Sequence, residues 1–170
     1  YFQLRLKKIS ISNLLKISKK VKKIVKKNKV KLLINDNPVV AKIVNADGCH
    51  IGQRDINFNS CRKILGKNKI IGLTCHNSKK LAFKAKKYGA NYVAFGAFFK
   101  SSTKKTAFKA NLEILRWAKK KINMPIVAIG GINNSNYRKI LSSGANFIAC
   151  SNYVWKNKKL DPVSAINKLK

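Results

Sequence analysis

Short, continuously apolar runs alternate along this chain with lysine-studded amphipathic stretches. The runs at 1–6, 30–34, 48–51, 70–74, 92–95, 126–129 and 147–150 are rich in β-branched and aromatic residues and read as strands. Several lack the polar–apolar alternation of a half-exposed strand, which is the pattern of parallel strands covered on both faces. Helical periodicity occupies 11–26, 38–45, 59–65, 78–88, 111–121, 134–142 and 161–169, and Gly89, Pro125 and Gly144 mark returns from helix to strand. Strand and helix recur about every 20–25 residues, as repeated βα units with a parallel sheet. No linker or low-complexity segment divides the chain, so residues 1–170 are read as one domain.

Seven such units fit either a doubly wound sheet or an eight-stranded barrel without its first strand and helix. Polar residues at the strand ends decide between them. Gln3, Arg5 and Lys7 end the first strand, and Asn35 and Asp36 the second. His50, Gln53 and Asp55 follow the third, and Thr74 and His76 end the fourth. Gly96, then Gly130 and Gly131, then Ser151 and Asn152 follow the last three. Every strand offers chemistry at its C-terminal end, where a barrel gathers its active-site loops; a doubly wound sheet concentrates it near one switch point. The predicted fold is therefore an α/β (β/α)8 TIM barrel represented by strands 2–8.

Composition narrows the classes further. A chain of 170 residues with 45% hydrophobic content can bury a core and is not a disordered polycation. No apolar run approaches the ~20 residues of a membrane-spanning helix, so no membrane partner is expected. The net charge of +33 first suggests nucleic acid, but arginine, the residue of bidentate recognition, supplies only Arg5, Arg54, Arg62, Arg116 and Arg138. Lysine, asparagine and isoleucine are all abundant, and lysines lie along nearly every helix. Compositional drift accounts for the charge better than a dedicated nucleic-acid surface. Cys49, Cys61, Cys75 and Cys150 show no C-x-x-C spacing, and Cys49, Cys75 and Cys150 sit in apolar or small-residue runs as small buried hydrophobes, so a reduced, cytoplasmic setting is expected. Met124 is the only methionine, so Tyr1 is not expected to be the translated start.

The five acids are few enough for their placement to inform. Asp36, Asp47 and Asp55 share one short window, and Asp36 and Asp55 follow consecutive strand ends. Two carboxylates on adjacent loops can share a hard cation such as Mg²⁺; equally, Asp36 can make a turn with Asn35 and Asp55 can cap the following helix. Asp47 reads as a turn residue before a buried strand. Gly130-Gly131 and Ser151-Asn152, on the last two strands, suit close approach of backbone to a phosphate. The hydroxyl- and amine-rich Lys100-Ser101-Ser102-Thr103-Lys104-Lys105-Thr106 suits an anion or a solvated loop. His50 and His76 are expected as packed, hydrogen-bonded rings, and Phe95, Phe98 and Phe99 as core.

Six segments together resemble the thiamine-phosphate synthase family in order and spacing. They are Gln3-Leu4-Arg5-Leu6-Lys7, Ile34-Asn35-Asp36, Ala46-Asp47-Gly48-Cys49-His50-Ile51-Gly52-Gln53-Arg54-Asp55, Gly72-Leu73-Thr74-Cys75-His76, Ser101-Ser102-Thr103-Lys104 and Ala128-Ile129-Gly130-Gly131-Ile132. The resemblance implies a TIM-barrel transferase that joins a pyrimidine diphosphate to a thiazole phosphate, releasing pyrophosphate. It implies that Gln3, Arg5, Lys7, Asn35, Thr74 and Lys104 hold the pyrimidine diphosphate, with Arg5, Lys7 and Lys104 serving catalysis. It further implies Asp36 and Asp55 as Mg²⁺ carboxylates, and Ser101, Ser102, Thr103, Gly131, Ser151 and Asn152 as the cradle for the thiazole phosphate. Chemistry of this kind needs neutralisation of a leaving diphosphate and little proton transfer.

The chain departs from the family pattern at four kinds of position. Leu6 stands where a glutamate is usual, Lys100 and Ser101 replace proline and threonine, Thr74 replaces serine, and Asn152 replaces serine or glycine. The family's first strand and helix are expected to precede the first segment. A thiazole-tautomerase-like member of the same fold is the nearest alternative, and a basic nucleic-acid-binding barrel is the alternative from another class. Homo-oligomerisation is left open by the sequence.

Overall fold

Residues 1–100 and 108–170 are described by a computed structural model, in which they form two units, Tyr1–Thr74 and Cys75–Lys170. The first unit runs β1 (Phe2–Leu4), α1 (Ile11–Lys27), β2 (Leu32–Asn35), α2 (Pro38–Ile43), β3 (Gly48–Ile51), α3 (Phe58–Leu65) and β4 (Ile70–His76), whose last two residues begin the second unit. Its strands pair in sequence order and in parallel. The register places Leu4, Ile34, Cys49 and Ile71 in one cross-strand row, with the last three fully buried. β2 and β3 bury without alternation, as the continuous apolar runs predict, whereas Gln3 in the middle of β1 is exposed. One residue further on, the row turns polar: Asn35 stands beside His50.

The second unit contains α4 (Lys79–Lys87), β5 (Tyr92–Gly96), α5 (Leu112–Lys121), β6 (Ile126–Ile129), α6 (Tyr137–Ser142), β7 (Phe147–Ala149), α7 (Asn152–Trp155) and α8 (Pro162–Asn167). Strands β5, β6 and β7 are again parallel, with Phe95, Ala128 and Ile148 in one row. Not every predicted apolar strand is covered here: Ile129 is 42% and Phe147 45% exposed.

One helix-to-strand return recurs in both units. Asn45, Gly89 and Gly144 take positive φ, and the buried Ala46, Ala90 and Ala145 that follow donate back to the carbonyls of Ala41, Ala85 and Ile140. Such a bond satisfies helix-end carbonyls and reverses the chain toward the sheet. An Asp or Asn comes next, and at Asp47 and Asn146 its side chain grips the neighbouring strand. Asp47 accepts the Leu32 N–H at 2.8 Å, and Asn146 accepts the Ile126 N–H at 2.9 Å.

Two helices differ from the sequence expectation. α6 begins at Tyr137 rather than near residue 134, because Asn133 closes a local turn by accepting from the Ser135 N–H and hydroxyl. α7 was not expected, since four residues are too short to display a helical period. Cys49 and Cys75 are fully buried, as expected of cysteines packed as small hydrophobes, and so is Cys61; Cys150, expected to be buried as well, is only partly so.

Candidate active site

Four parallel strand ends in the first unit bring together most of the residues predicted for the pyrimidine diphosphate. Gln3 lies in β1 opposite Leu33 with its side chain exposed, and Arg5 and Lys7 follow the strand. The Lys7 ammonium is ion-paired to Asp36. Asp36 follows Asn35 at the end of β2 with φ of 63°, and its amide donates to the His50 carbonyl at 2.8 Å, which fixes the turn against β3.

Asp55 does not cap α3, as one sequence reading had it. Asn57 caps that helix by accepting from the Ser60 N–H, and Asp55 closes its own loop by accepting from the Gly52 N–H at 2.8 Å. Not engaged in capping, the Asp55 carboxyl lies near that of Asp36, and the two interact. Burial and then Asp36 push the Asp55 carboxyl above its ordinary range. Burial also works against ionisation of Asp36, but Lys7, Asp55 and Arg5 outweigh it and hold that carboxyl low.

Two carboxylates this close repel when both are ionised, so a proton or a cation between them is favoured. An oxygen pair of this kind fits Mg²⁺, which takes one or two protein carboxylates and completes its shell with water and phosphate oxygens. Among the described residues no group of three or more His, Cys, Asp or Glu side chains could hold a metal.

Beside the carboxylates, His50 is buried and its Nε2 lies 2.8 Å from Thr74 Oγ1. Burial pushes its pKa down to about 4, so the ring is neutral near pH 7. Gln53 donates its side-chain amide to the Thr74 carbonyl. Neither contact is legible in the sequence, because both depend on the register of β3 against β4.

In the second unit the predicted phosphate glycines sit where backbone approaches backbone. Phe98 and Phe99 donate to the carbonyls of Ile129 and Gly130 at 3.3 and 3.0 Å, and Asn136 donates to the Gly131 carbonyl at 3.1 Å. Ser151 is exposed just before α7, its hydroxyl makes no capping bond, and Asn152 is the first residue of that helix. Ser101, Ser102, Thr103 and Lys104 lie outside the described residues. Of the remaining candidates, His76 stacks on Phe108 with ring centroids 4.2 Å apart, Phe95 and Phe98 are buried, and Phe99, expected as core, is only half-buried. A groove of about 540 Å³ near the starts of α4 and α5, lined by Lys79, Glu113 and Trp117 among others, contains none of the predicted binding residues. No helix of the described residues is long and apolar enough to cross a membrane.

The family model described as thiamine monophosphate synthase matches residues 1–154. The chain is 58% identical to the thiamine-phosphate synthase of Pelagibacter ubique over its whole length, spanning 82% of that protein. It is 38% identical to the thiamine-phosphate synthase of Rhodospirillum centenum, over 96% of this chain and 79% of that one. Among solved structures, the thiamine phosphate pyrophosphorylase from Pyrococcus furiosus superposes with a TM-score of 0.89 at 30% identity, covering 98% of this chain and 79% of that one. A tryptophan synthase α-subunit, at 10% identity and a TM-score of 0.69, shares the fold alone. The fold class is thus the TIM-barrel-like α/β architecture predicted from the strand ends.

Proposed function

The chain belongs to the thiamine monophosphate synthase family and is a transferase of thiamine biosynthesis, and on that premise we propose how its own residues carry the reaction. The substrates are a phosphorylated pyrimidine and a phosphorylated thiazole, joined to give thiamine phosphate. The observation that carries our assignment of roles is the Asp36–Asp55 carboxyl pair with Lys7 bonded to Asp36 and Arg5 acting on it. Two carboxyls near Lys7 and Arg5, within one unit, suit a diphosphate delivered with a divalent cation.

Gln3, Asn35 and Thr74 orient the pyrimidine diphosphate, while Arg5, Lys7 and Lys104 draw negative charge as pyrophosphate departs. Mg²⁺, held by Asp36 and Asp55, would neutralise the same leaving group. Loss of pyrophosphate leaves a cation on the pyrimidine's methylene carbon, and the thiazole ring nitrogen captures it to form the new C–N bond. Ser101, Ser102, Thr103, Gly131, Ser151 and Asn152 hold the thiazole phosphate in place for that capture. Such a reaction depends on charge stabilisation rather than on a general acid–base pair, and the neutral His50 is consistent with that.

Residues 1–170 would act as a single barrel domain in this scheme. A tautomerase-like role has no need of a diphosphate-binding set, so the clustering of Lys7, Arg5 and both carboxylates favours the transferase. The test is steady-state pyrophosphate release from the two phosphorylated substrates against Mg²⁺ concentration. Saturable, metal-dependent release supports the scheme, and metal-independent turnover removes Asp36 and Asp55 from it.

A further inference from the structure

Thr74 is gripped at both of its polar ends by one segment. The β3–β4 ladder has its last pair at Ile51 and Leu73, one residue short of Thr74. The side chain of Gln53 supplies a hydrogen bond to the Thr74 carbonyl just past that point. From the other side of the same turn, His50 reaches the Thr74 hydroxyl at 2.8 Å. His50 is 8% exposed and its own carbonyl accepts the Asp36 amide at 2.8 Å, so the ring has little freedom to leave.

A threonine hydroxyl can donate one hydrogen bond and accept others, and unconstrained it rotates to suit any neighbour. We propose that His50 and Gln53 are positioning residues that fix the Thr74 hydroxyl, His50 by occupying one of its hydrogen-bonding roles and Gln53 by anchoring its backbone, so that the remaining role points at the pyrimidine substrate. This inference rests on the assignment of Thr74 to that substrate. A preset hydroxyl binds its ligand without losing rotational freedom at that moment, and it discriminates against ligands of the wrong hydrogen-bonding sense. The same segment ends in Asp55, so one stretch from His50 to Asp55 holds Thr74 and closes on the carboxyl pair.

The experiment is a set of cycles in the full chain, comparing His50→Leu, His50→Gln, Gln53→Met and Thr74→Val, singly and each of the first three combined with Thr74→Val. Calorimetric binding of the pyrimidine diphosphate is measured alongside KM and kcat for both substrates. His50→Leu is expected to weaken the pyrimidine diphosphate on the order of tenfold while leaving the thiazole phosphate KM unchanged. His50→Gln, whose amide can reach the position of Nε2, is expected to restore most of it, and Gln53→Met to cost a smaller factor. In the Thr74→Val background His50→Leu should add almost nothing. Additive losses, or equal losses for both substrates, would show a merely structural role and overturn the proposal. Wild-type binding of the pyrimidine diphosphate without turnover would count against the reaction scheme alone, since the binding cycle still reads the positioning effect. Absence of that binding overturns both.

Discussion

Asp47 and Leu32 are joined by a reciprocal pair of hydrogen bonds: the Asp47 carboxylate accepts the Leu32 N–H at 2.8 Å, and the Asp47 amide donates to the Leu32 carbonyl at 2.9 Å. The same carboxylate takes the Lys22 ammonium at 2.8 Å, and the Asp47 carbonyl accepts the Ile70 amide. One short side chain thus ties α1 to the start of β2. Asn146 makes the same pair with Ile126 without any charge, which shows that the amide oxygen suffices for the backbone bond. Asp47→Asn should therefore lose only a part-exposed ion pair, within about 1 kcal/mol. Asp47→Ala strands the Leu32 amide and should cost about 1–3 kcal/mol. Denaturant unfolding of both variants checks the order, and turnover measured well below the transition should stay near wild type in each.

Asp36→Asn and Asp55→Asn keep shape but each removes a charge and a strong oxygen ligand. Each is expected to cut pyrophosphate release on the order of 10²-fold or more and to raise the Mg²⁺ concentration needed for half-maximal rate. Full activity in both variants would remove this pair from the mechanism.

The same pair predicts opposite pH effects on stability. Asp36 is held low, so its stabilisation is present above the ordinary carboxylate pKa and is lost as pH falls through its lowered value. Asp55 is pushed up, so the fold favours its protonated form; that contribution is present below the ordinary pKa and is lost as pH rises through the raised value. The surroundings of Asp55 disfavour its charged form, so wherever that carboxyl is ionised without metal, Asp55→Asn should raise Tm above wild type. The advantage should shrink as pH falls through the carboxylate range. Added Mg²⁺ should raise the Tm of wild type more than that of Asp55→Asn. A calorimetric pH series with and without Mg²⁺ reads all three.

Boundaries were legible where composition changes abruptly. β3 is fenced by Asp47 and Gly52 and β6 by Pro125 and Gly130, and both strands match their predicted limits. That Lys7, Asn35, Asp36 and His50 gather at one end of the first unit's strands was also legible, since strand-end polar residues in a parallel sheet share a face. Partnerships were not. Asp55 has the spacing of a helix cap, and only the backbone shows that Asn57 takes that role and frees Asp55 for Asp36. The grip of His50 on Thr74 needs residues 24 apart to meet, which is set by the β3–β4 register and not by any local pattern.

The charge of +33 yields a prediction about binding without specificity. Lysines recur along α1 from Lys16 onward and fill the last turns of α4 and α5 rather than forming one arginine-rich face. Polyanions should bind weakly at low ionic strength and be released as salt rises, with no preference for sequence. Nanomolar, sequence-selective binding of DNA or RNA at physiological salt would contradict this.

Gly131 offers the sharpest separation of the two substrates. Its φ is +65°, and a Cβ built there would lie 2.5 Å from the Lys100 carbonyl oxygen and 2.7 Å from the Phe99 Cβ. Those atoms belong to a segment already tied to this strand end by the Phe99–Gly130 bond, so they cannot yield cheaply. Gly131→Ala must therefore displace the chain at Phe99 and Lys100, which leads into the residues proposed for the thiazole phosphate. Gly66, at φ +84° with nothing within 4 Å of a built Cβ, is the matching control. Gly66→Ala should cost only backbone strain, about 1–3 kcal/mol, with kinetics unchanged. Gly131→Ala should cost at least as much stability and, in addition, raise the thiazole phosphate KM by about tenfold or more while pyrimidine diphosphate binding stays within about twofold of wild type. Steady-state kinetics with each substrate varied in turn provides the comparison. A Gly131→Ala enzyme with wild-type KM for the thiazole phosphate would detach this glycine from that site.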